Sequence, residues 1–433
     1  MSVTEITRVE ILPLDRDRLA GFFIDSPAPT AVLDAYEFVC AGWVLGKTAT
    51  ALGVELVGND GAVRRIPTGH PRPDVQRCYP ETRGAAVAGW WAPVNVLGMN
   101  VEFELRLQAV LEDDPRPAPL ARIQGRRRPV PLRFEPAIQP LMVTSLGRTG
   151  STWLMRLLAE HPGIVAHRSY PHETWPVRHW MQFLGAFTGP VPDAVSSRKP
   201  EPPDAQWRVP HPFSNASQLL PPAMHEWFGG KFVEDAAEFF RRFGEDCYRE
   251  IATLQHQAAP VFFAEKHLPY EVPGIVWELY PKAREIFLVR DFRDMLCSIT
   301  AFNQKRGSAD FGRNLAASEA QYIRNLGGYA ERLKRAWDNR RDRACLVRYE
   351  DLVAQTAETL ATILNYLGLP ADGAQIDGMI GRASAHTADL LWHRTAPSVK
   401  ESVGRWRRDL SPELQGISQE AFGPALADFG YGG

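Results

Sequence analysis

Pro140-Leu141-Met142-Val143-Thr144-Ser145-Leu146-Gly147-Arg148-Thr149-Gly150-Ser151-Thr152-Trp153-Leu154-Met155-Arg156-Leu157-Leu158 is the stretch that decides the fold. A short apolar run, Leu141 to Val143, ends in a loop bounded by Gly147 and Gly150. From Ser151 onward, Leu154, Leu157 and Leu158 recur at helical spacing. Strand, glycine loop, helix is the arrangement that holds a phosphate on the backbone N–H groups of a helix N-terminus. The loop is not a Walker A motif, because no Lys follows Gly150. Its positive charge is Arg148, ahead of the second glycine, with the Ser151 and Thr152 hydroxyls behind it. An ordinary βα turn with incidental glycines would read the same way, so the rest of the chain must decide.

Two further segments place charge beside predicted structure. Ala264-Glu265-Lys266-His267-Leu268-Pro269 precedes Ile286-Phe287-Leu288-Val289, a continuous apolar run of the kind found in buried parallel strands. Arg290 ends that strand, and Asp291 with Asp294 marks a helix start. Arg290 thus sits at a strand's carboxyl end, where open α/β sheets bind ligands. Ser298 follows two helical turns after Asp291, on about the same face. Near the C-terminus, Lys400 and Gly404-Arg405-Trp406-Arg407-Arg408 form a basic turn, which alone reads equally as a solvated loop.

Together these segments resemble the sulfotransferases that use 3′-phosphoadenosine 5′-phosphosulfate (PAPS). Gly147-Arg148-Thr149-Gly150-Ser151-Thr152-Trp153-Leu154 is similar to the family's 5′-phosphosulfate loop. Arg290 with Ser298 is similar to its 3′-phosphate motif. Glu265-Lys266 fits the tyrosylprotein-type and bacterial branches, where a Lys precedes this strand. Gly404-Arg405-Trp406-Arg407 resembles the basic loop that closes over the 3′-phosphate. The resemblance covers about residues 140 to 410. It implies an α/β fold with a P-loop-like parallel sheet and flanking helices, and transfer of a sulfonate from PAPS to an acceptor hydroxyl, leaving PAP. It also implies a cofactor site of Arg148, Thr149, Gly150, Ser151, Thr152, Trp153, Arg290, Ser298, Arg405 and Lys400. Trp153 either stacks on the adenine, as the resemblance implies, or belongs to the helix core.

In-line sulfuryl transfer leaves a phosphate, and its developing charge needs fixed cations and N–H groups. Arg148 suits this through its planar fork of donors, and the resemblance implies that Lys266 stabilises the moving sulfonate. A hydroxyl acceptor also needs a general base. The tyrosylprotein branch places a Glu soon after the first helix and its His-Pro. Here His161-Pro162 is followed, at a longer gap, by Glu173 within Tyr170-Pro171-His172-Glu173-Thr174-Trp175. His172 and His267 are rival bases. The histidines show no ligand spacing, so no metal is expected. A P-loop kinase of a small molecule is the rival enzyme, but the loop Lys and an evident Walker B acid are lacking. A glycan-binding protein with a degenerate transferase domain is the rival outside catalysis, and the intact Arg148, Lys266, Arg290 and Ser298 speak against it.

A net charge of −2 excludes bulk nucleic-acid binding, so anion affinity has to be local. Cys40, Cys78, Cys247, Cys297 and Cys345 are scattered, without a Cys-x-x-Cys pair, which suits a reducing compartment. Met1 to Arg18 lacks the apolar core of a signal peptide, and no apolar run reaches the length of about 18 residues that a membrane span needs. The expectation is a cytoplasmic enzyme with a small-molecule or glycan acceptor.

Residues 1–125 read as an all-β sandwich, 126–139 as a Pro/Arg-rich linker and 140–433 as the sulfotransferase domain. Alternation from Val101 to Leu111 marks a strand, and Val54–Leu56 with Val63 onward a hairpin turning at Asn59-Asp60-Gly61. Arg72-Pro73-Asp74-Val75 reads as loop. Pro115, Pro117 and Pro119 are expected to exclude central strand, and Arg126-Arg127-Arg128 to be solvated. The β-region resembles modules that accompany bacterial glycan-modifying enzymes. Trp43, Trp90 and Trp91 either form a sugar-stacking platform or pack internally. Helices are predicted at 233–256, 316–339 and 351–367, and a long Pro-rich loop at 191–222.

Overall fold

The computed structural model describes residues 2–58, 63–112, 114–169, 172–188, 227–269, 274–384 and 394–432. The predicted loop at 191–222, the turn Asn59-Asp60-Gly61 and Tyr170-Pro171 lie outside them. The chain divides into two compact units. One comprises Met1–Phe134, Trp180–Arg241 and Gly274–Leu279; the other comprises Glu135–His179, Arg242–Pro273 and Tyr280–Gly433.

The first unit is rich in antiparallel strands. β1 (Thr4–Ile11), β3 (Val32–Leu33), β5 (Ala51–Gly58), β6 (Val63–Pro67), β8 (Glu102–Leu111) and β9 (Asp114–Arg127) form one sheet, in the order β3-β1-β9-β8-β5-β6. β2 (Leu19–Ser26), β4 (Glu37–Gly46) and β7 (Gly89–Asn95) form a second. The alternation in β8 buries Phe103, Leu105, Leu107, Ala109 and Leu111 on one face. Phe103 stacks against Phe38 of β4, with ring centroids 6.3 Å apart. β5 and β6 pair as the expected hairpin arms.

Three readings are corrected here. Pro73 starts a short helix, α1 (Pro73–Cys78), rather than sitting in a loop, and proline is well suited to a first helical turn. Pro115, Pro117 and Pro119 lie inside β9, a central strand. They are tolerated because β1 pairs only from Ala121 onward, so the proline-bearing half has β8 on one side and no β1 ladder on the other. Within the Arg triplet only Arg126 is exposed, as expected of solvated charge; Arg127 and Arg128 are not. Arg127 is buried and grips Glu278 with two nitrogens at 2.8 and 2.7 Å, Arg128 reaches Glu234 at 2.6 Å and Arg126 reaches Glu5 at 2.7 Å. Of the tryptophans, Trp90 is core and Trp43 packs on Tyr79 at 5.8 Å, so packing dominates a platform reading; Trp91 stays partly exposed.

The second unit is built on a parallel sheet of β10 (Gln139–Ser145), β11 (Ile164–Ala166), β12 (Phe262–His267), β13 (Arg284–Val289) and β14 (Ala344–Arg348), in the order β11-β12-β10-β13-β14. Helix α2 (Ser151–Ala159) follows β10 and buries Leu154, Leu157 and Leu158 against Leu141, Val143, Ile286 and Leu288. In chain order, helices α3 (Pro176–Thr188) and α4 (Phe232–Leu254) come before β12 and α5 (Ile275–Leu279) before β13; α5, most of α3 and the start of α4 belong to the first unit. Then come α6 (Phe292–Arg306), α7 (Glu319–Arg340), α8 (Tyr349–Ala354) and α9 (Thr356–Leu367). The helix expected over 351–367 is thus two, parted at Gln355. Gly368, in the left-handed conformation, ends the second, as the sequence predicts.

Candidate active site

In the ladder Thr144 lies opposite His267 and Ser145 opposite Leu288, so the carboxyl ends of β10, β12 and β13 meet. β10 is central: the chain leaves it toward β11 at one edge of the sheet and leaves its neighbour β13 toward β14 at the other. That is the switch point at which open α/β sheets bind ligands. The three sequence segments therefore converge.

The loop after β10 is strained in a defined way. Arg148 has φ +66° and Gly150 φ +92°. The left-handed region costs a residue such as Arg about 1–2 kcal/mol and persists only where the surroundings enforce it. A Cβ on Gly150 would lie 2.4 Å from the Tyr349 ring, and one on Gly147 2.5 Å from the Phe311 ring. Both glycines thus let aromatic rings pack onto the loop. α2 starts without a side-chain cap, and first-turn N–H groups have no partner within their helix. The Thr149 hydroxyl turns inward and donates to the Leu146 carbonyl at 2.8 Å.

Charged groups surround this loop. Arg148 Nε donates to Ser298 Oγ at 3.3 Å, and its guanidinium lies 4.4 Å from the Phe302 ring centre. Ser298, in α6, also meets Thr395 Oγ1 at 3.0 Å. Arg290 is buried. It donates to the Arg148 carbonyl at 3.0 Å and to the Ser402 carbonyl at 2.6 Å, and it stacks 4.6 Å from the Tyr349 ring centre. Its Nε is buried without a hydrogen-bond partner among the described residues. A buried donor left unpaired is costly, so an anion seated here would be welcome.

Lys266 Nζ donates to Thr152 Oγ1 at 3.1 Å and to Glu173 Oε1 at 3.0 Å. The Lys266 side chain is 8% exposed and that of Glu173 36%. Burial pushes the lysine pKa below its usual value, with Arg148 adding to this and Glu173 opposing it. His172, with φ +60°, is buried beside Glu173, and its Nδ1 lies 3.1 Å from the His167 carbonyl. Burial pushes its pKa down too, which favours the neutral ring. His267 points to the opposite face of β12 from Lys266. Its Nε2 is 3.4 Å from Glu265 Oε2, both side chains fully buried. Trp153 packs, half-buried, against the core around Leu154 and Leu157.

Asp294, which the sequence offered only as a helix-start acid, pins the C-terminal basic loop. Its buried carboxylate accepts from the Gly404 N–H at 2.6 Å and the Trp406 N–H at 2.9 Å, while burial raises its pKa. Arg405 donates to the Thr395 carbonyl at 2.7 Å and pairs with Asp409, and Lys400 is exposed nearby in the chain. Tyr349, Thr395 and Ser402 also escaped the sequence reading, because only their long-range partners identify them. Among the described residues, no helix is long and apolar enough to cross a membrane.

Mouse carbohydrate sulfotransferase 3 is 29% identical over 161 residues, 34% of this chain and 34% of that protein, so the match spans about a third of the curated relative. The crystal structure of a mouse sulfotransferase complexed with PAP is matched at TM-score 0.38 and 13% identity, over 68% of this chain and 85% of that one. A Mycobacterium avium sulfotransferase is matched at TM-score 0.35 and 14% identity, over 68% and 77%. Residues 140–373, more than half of the chain and all of the segment from the glycine loop through Lys266, Arg290 and Ser298, match the sequence profile of the sulfotransferase family, and the chain belongs to that family.

Proposed function

We propose that this protein transfers the sulfonate of PAPS to an acceptor hydroxyl on a small molecule or glycan. The observation that carries the reading is the convergence of Arg148, Lys266, Arg290 and Ser298 on one strained glycine loop at a helix N-terminus. PAPS supplies the electrophilic sulfonate and a phosphate leaving group. The chain supplies everything that holds them. The N–H groups of Gly150, Ser151 and Thr152, with Arg148, receive the 5′-phosphosulfate end. Arg290 and Ser298 receive the 3′-phosphate, and the loop pinned by Asp294 brings Arg405 and, further out, Lys400 to the same end. Arg290 Nε supports this fit, being a buried donor in want of an acceptor.

Lys266 takes the role of neutralising charge on the moving sulfonate, from a strand neighbouring the loop. Glu173 takes the acceptor's proton. It is ion-paired and partly exposed, whereas the alternative His172 is buried and His267 points to the other face of β12. Trp153, half-buried at the start of α2, either stacks on the adenine or contributes shape to the helix start. The test is transfer of radiolabelled sulfate from PAPS into small-molecule and glycan extracts, with PAP appearing in equal amount. Release of PAP with no labelled product in any extract would argue against an acceptor hydroxyl.

A further inference from the structure

Glu265 precedes Lys266 in β12 and is fully buried, on the opposite face of the sheet. Its Oε1 accepts from the Val177 N–H at 2.9 Å and from the Tyr248 hydroxyl at 2.9 Å. Its Oε2 lies 3.4 Å from His267 Nε2. Tyr248 is itself fixed, with its ring stacked on that of Phe263 at 4.2 Å. Burial, with the Glu265 carboxylate beside it, raises the tyrosine pKa and keeps the hydroxyl a donor. The bond to Val177 reaches toward the site. α3 begins at Pro176, which has no N–H, so Val177 carries the first N–H of the helix. First-turn N–H groups find no acceptor within their own helix. Glu265 supplies one, and its charge suits the positive end of α3.

Four residues before Val177 stands Glu173, which belongs to no helix or strand and is held by Lys266 at 3.0 Å. Neighbouring residues of a strand point to opposite faces. Residues 173–177 therefore cross the carboxyl end of β12 with one anchor on each side, Lys266 on one and Glu265 on the other. We propose that Glu265 is a positioning residue for the transfer. By holding the start of α3 it fixes the segment that carries Glu173 and aims that carboxylate at the acceptor hydroxyl. The proposal rests on the reading of Glu173 as the general base. One ion pair to a partly exposed carboxylate leaves the segment free to pivot; the second anchor removes that freedom. Such aim matters, because a misplacement of about 1 Å can cost about 10²-fold in rate.

The test is a double-mutant cycle on the full chain. In the protein without PAP, Glu265→Leu should speed hydrogen exchange of the Val177 amide by about tenfold or more, as loss of a bond to a charged group implies, and leave exchange in α2 unchanged. PAP affinity by calorimetry should stay at the wild-type value. Transfer of radiolabelled sulfate from PAPS into small-molecule and glycan extracts should fall by about 10–10²-fold. Glu265→Gln keeps an acceptor oxygen for both donors and should restore exchange and transfer to near wild-type values. In a Glu173→Gln background, Glu265→Leu should cost no further transfer, because its effect runs through Glu173. Unchanged exchange at Val177, wild-type transfer in Glu265→Leu, no rescue by glutamine, or a full further loss in the Glu173→Gln background would each overturn the proposal. Should Glu265→Leu fail to fold or to bind PAP, Tyr248→Phe enters the same cycle, since it removes one donor and keeps the ring. A loss of transfer confined to the background with Glu173 intact then supports the proposal, and unchanged transfer overturns it. Wild-type transfer by Glu173→Gln alone would instead sink the reading of Glu173 as the base.

Discussion

Lys266→Met separates function from stability at the point where the two conflict. The ammonium is almost wholly buried, and its desolvation costs several kcal/mol before any partner is counted. Its ion pair returns little, because Glu173 is about a third exposed and such pairs are worth about 0.2–1 kcal/mol. The Thr152 hydroxyl bond adds about 0.5–1.5 kcal/mol. Met fills similar volume without charge, and Glu173 can return to water. The substitution should therefore stabilise the protein by about 1–2 kcal/mol, or about 2–4 °C per kcal/mol in Tm for a unit of this size. Because burial lowers the folded-state pKa, the folded lysine binds fewer protons than the unfolded one between the two pKa values. Wild-type stability therefore gains on the variant as pH rises toward the ordinary lysine range. Turnover should meanwhile fall by about 10²–10³-fold, as when one transition-state donor is removed. Calorimetric melts at two pH values and a PAPS turnover assay read both effects. A lowered Tm with unchanged turnover would refute the reasoning on both counts.

Further outcomes follow from the same geometry. Arg290→Ala and Ser298→Ala should each weaken PAP binding by about tenfold or more, as read by titration calorimetry, with Ser298→Ala the smaller disturbance to the fold. Glu173→Gln should keep PAP affinity and lose about 10²–10⁴-fold in turnover; retained activity would move the base to His172 or beyond. Asp294→Ala should free the 399–408 segment, seen as faster tryptic cleavage at Arg405, Arg407 and Arg408, and equal cleavage rates would show that the loop is held by other means. A fragment of residues 136–433 removes Arg127 and Arg128 from buried or half-buried pairs with Glu278 and Glu234, so it should aggregate or melt well below the full chain.

The fold of the second unit was legible because each signal is local. An apolar run, two glycines and a leucine stripe specify strand, loop and helix within about twenty residues. Arg290 and Ser298 were legible for the same reason, since one ends a strand and the other lies on the helix that follows within eight residues. The misreadings have equally definite causes. Pro115, Pro117 and Pro119 look strand-breaking until one knows that β1 stops short of them. Arg127 looks solvated until Glu278, 151 residues away, is in place. Asp294 lies 110 and 112 residues from the N–H groups it holds, and no periodicity encodes such pairing. Glu173 could be placed near the site but not aimed, since it lies outside any strand or helix and its partner Lys266 comes from β12.

The most direct test is calorimetric titration of the full-length protein with PAP, and separately with ATP and magnesium. Binding of one PAP per chain, weakened in Arg290→Ala and in Ser298→Ala and absent for ATP with magnesium, is the predicted result. Tight binding of ATP with magnesium and none of PAP would contradict the assignment of the glycine loop and of Arg290 to PAPS.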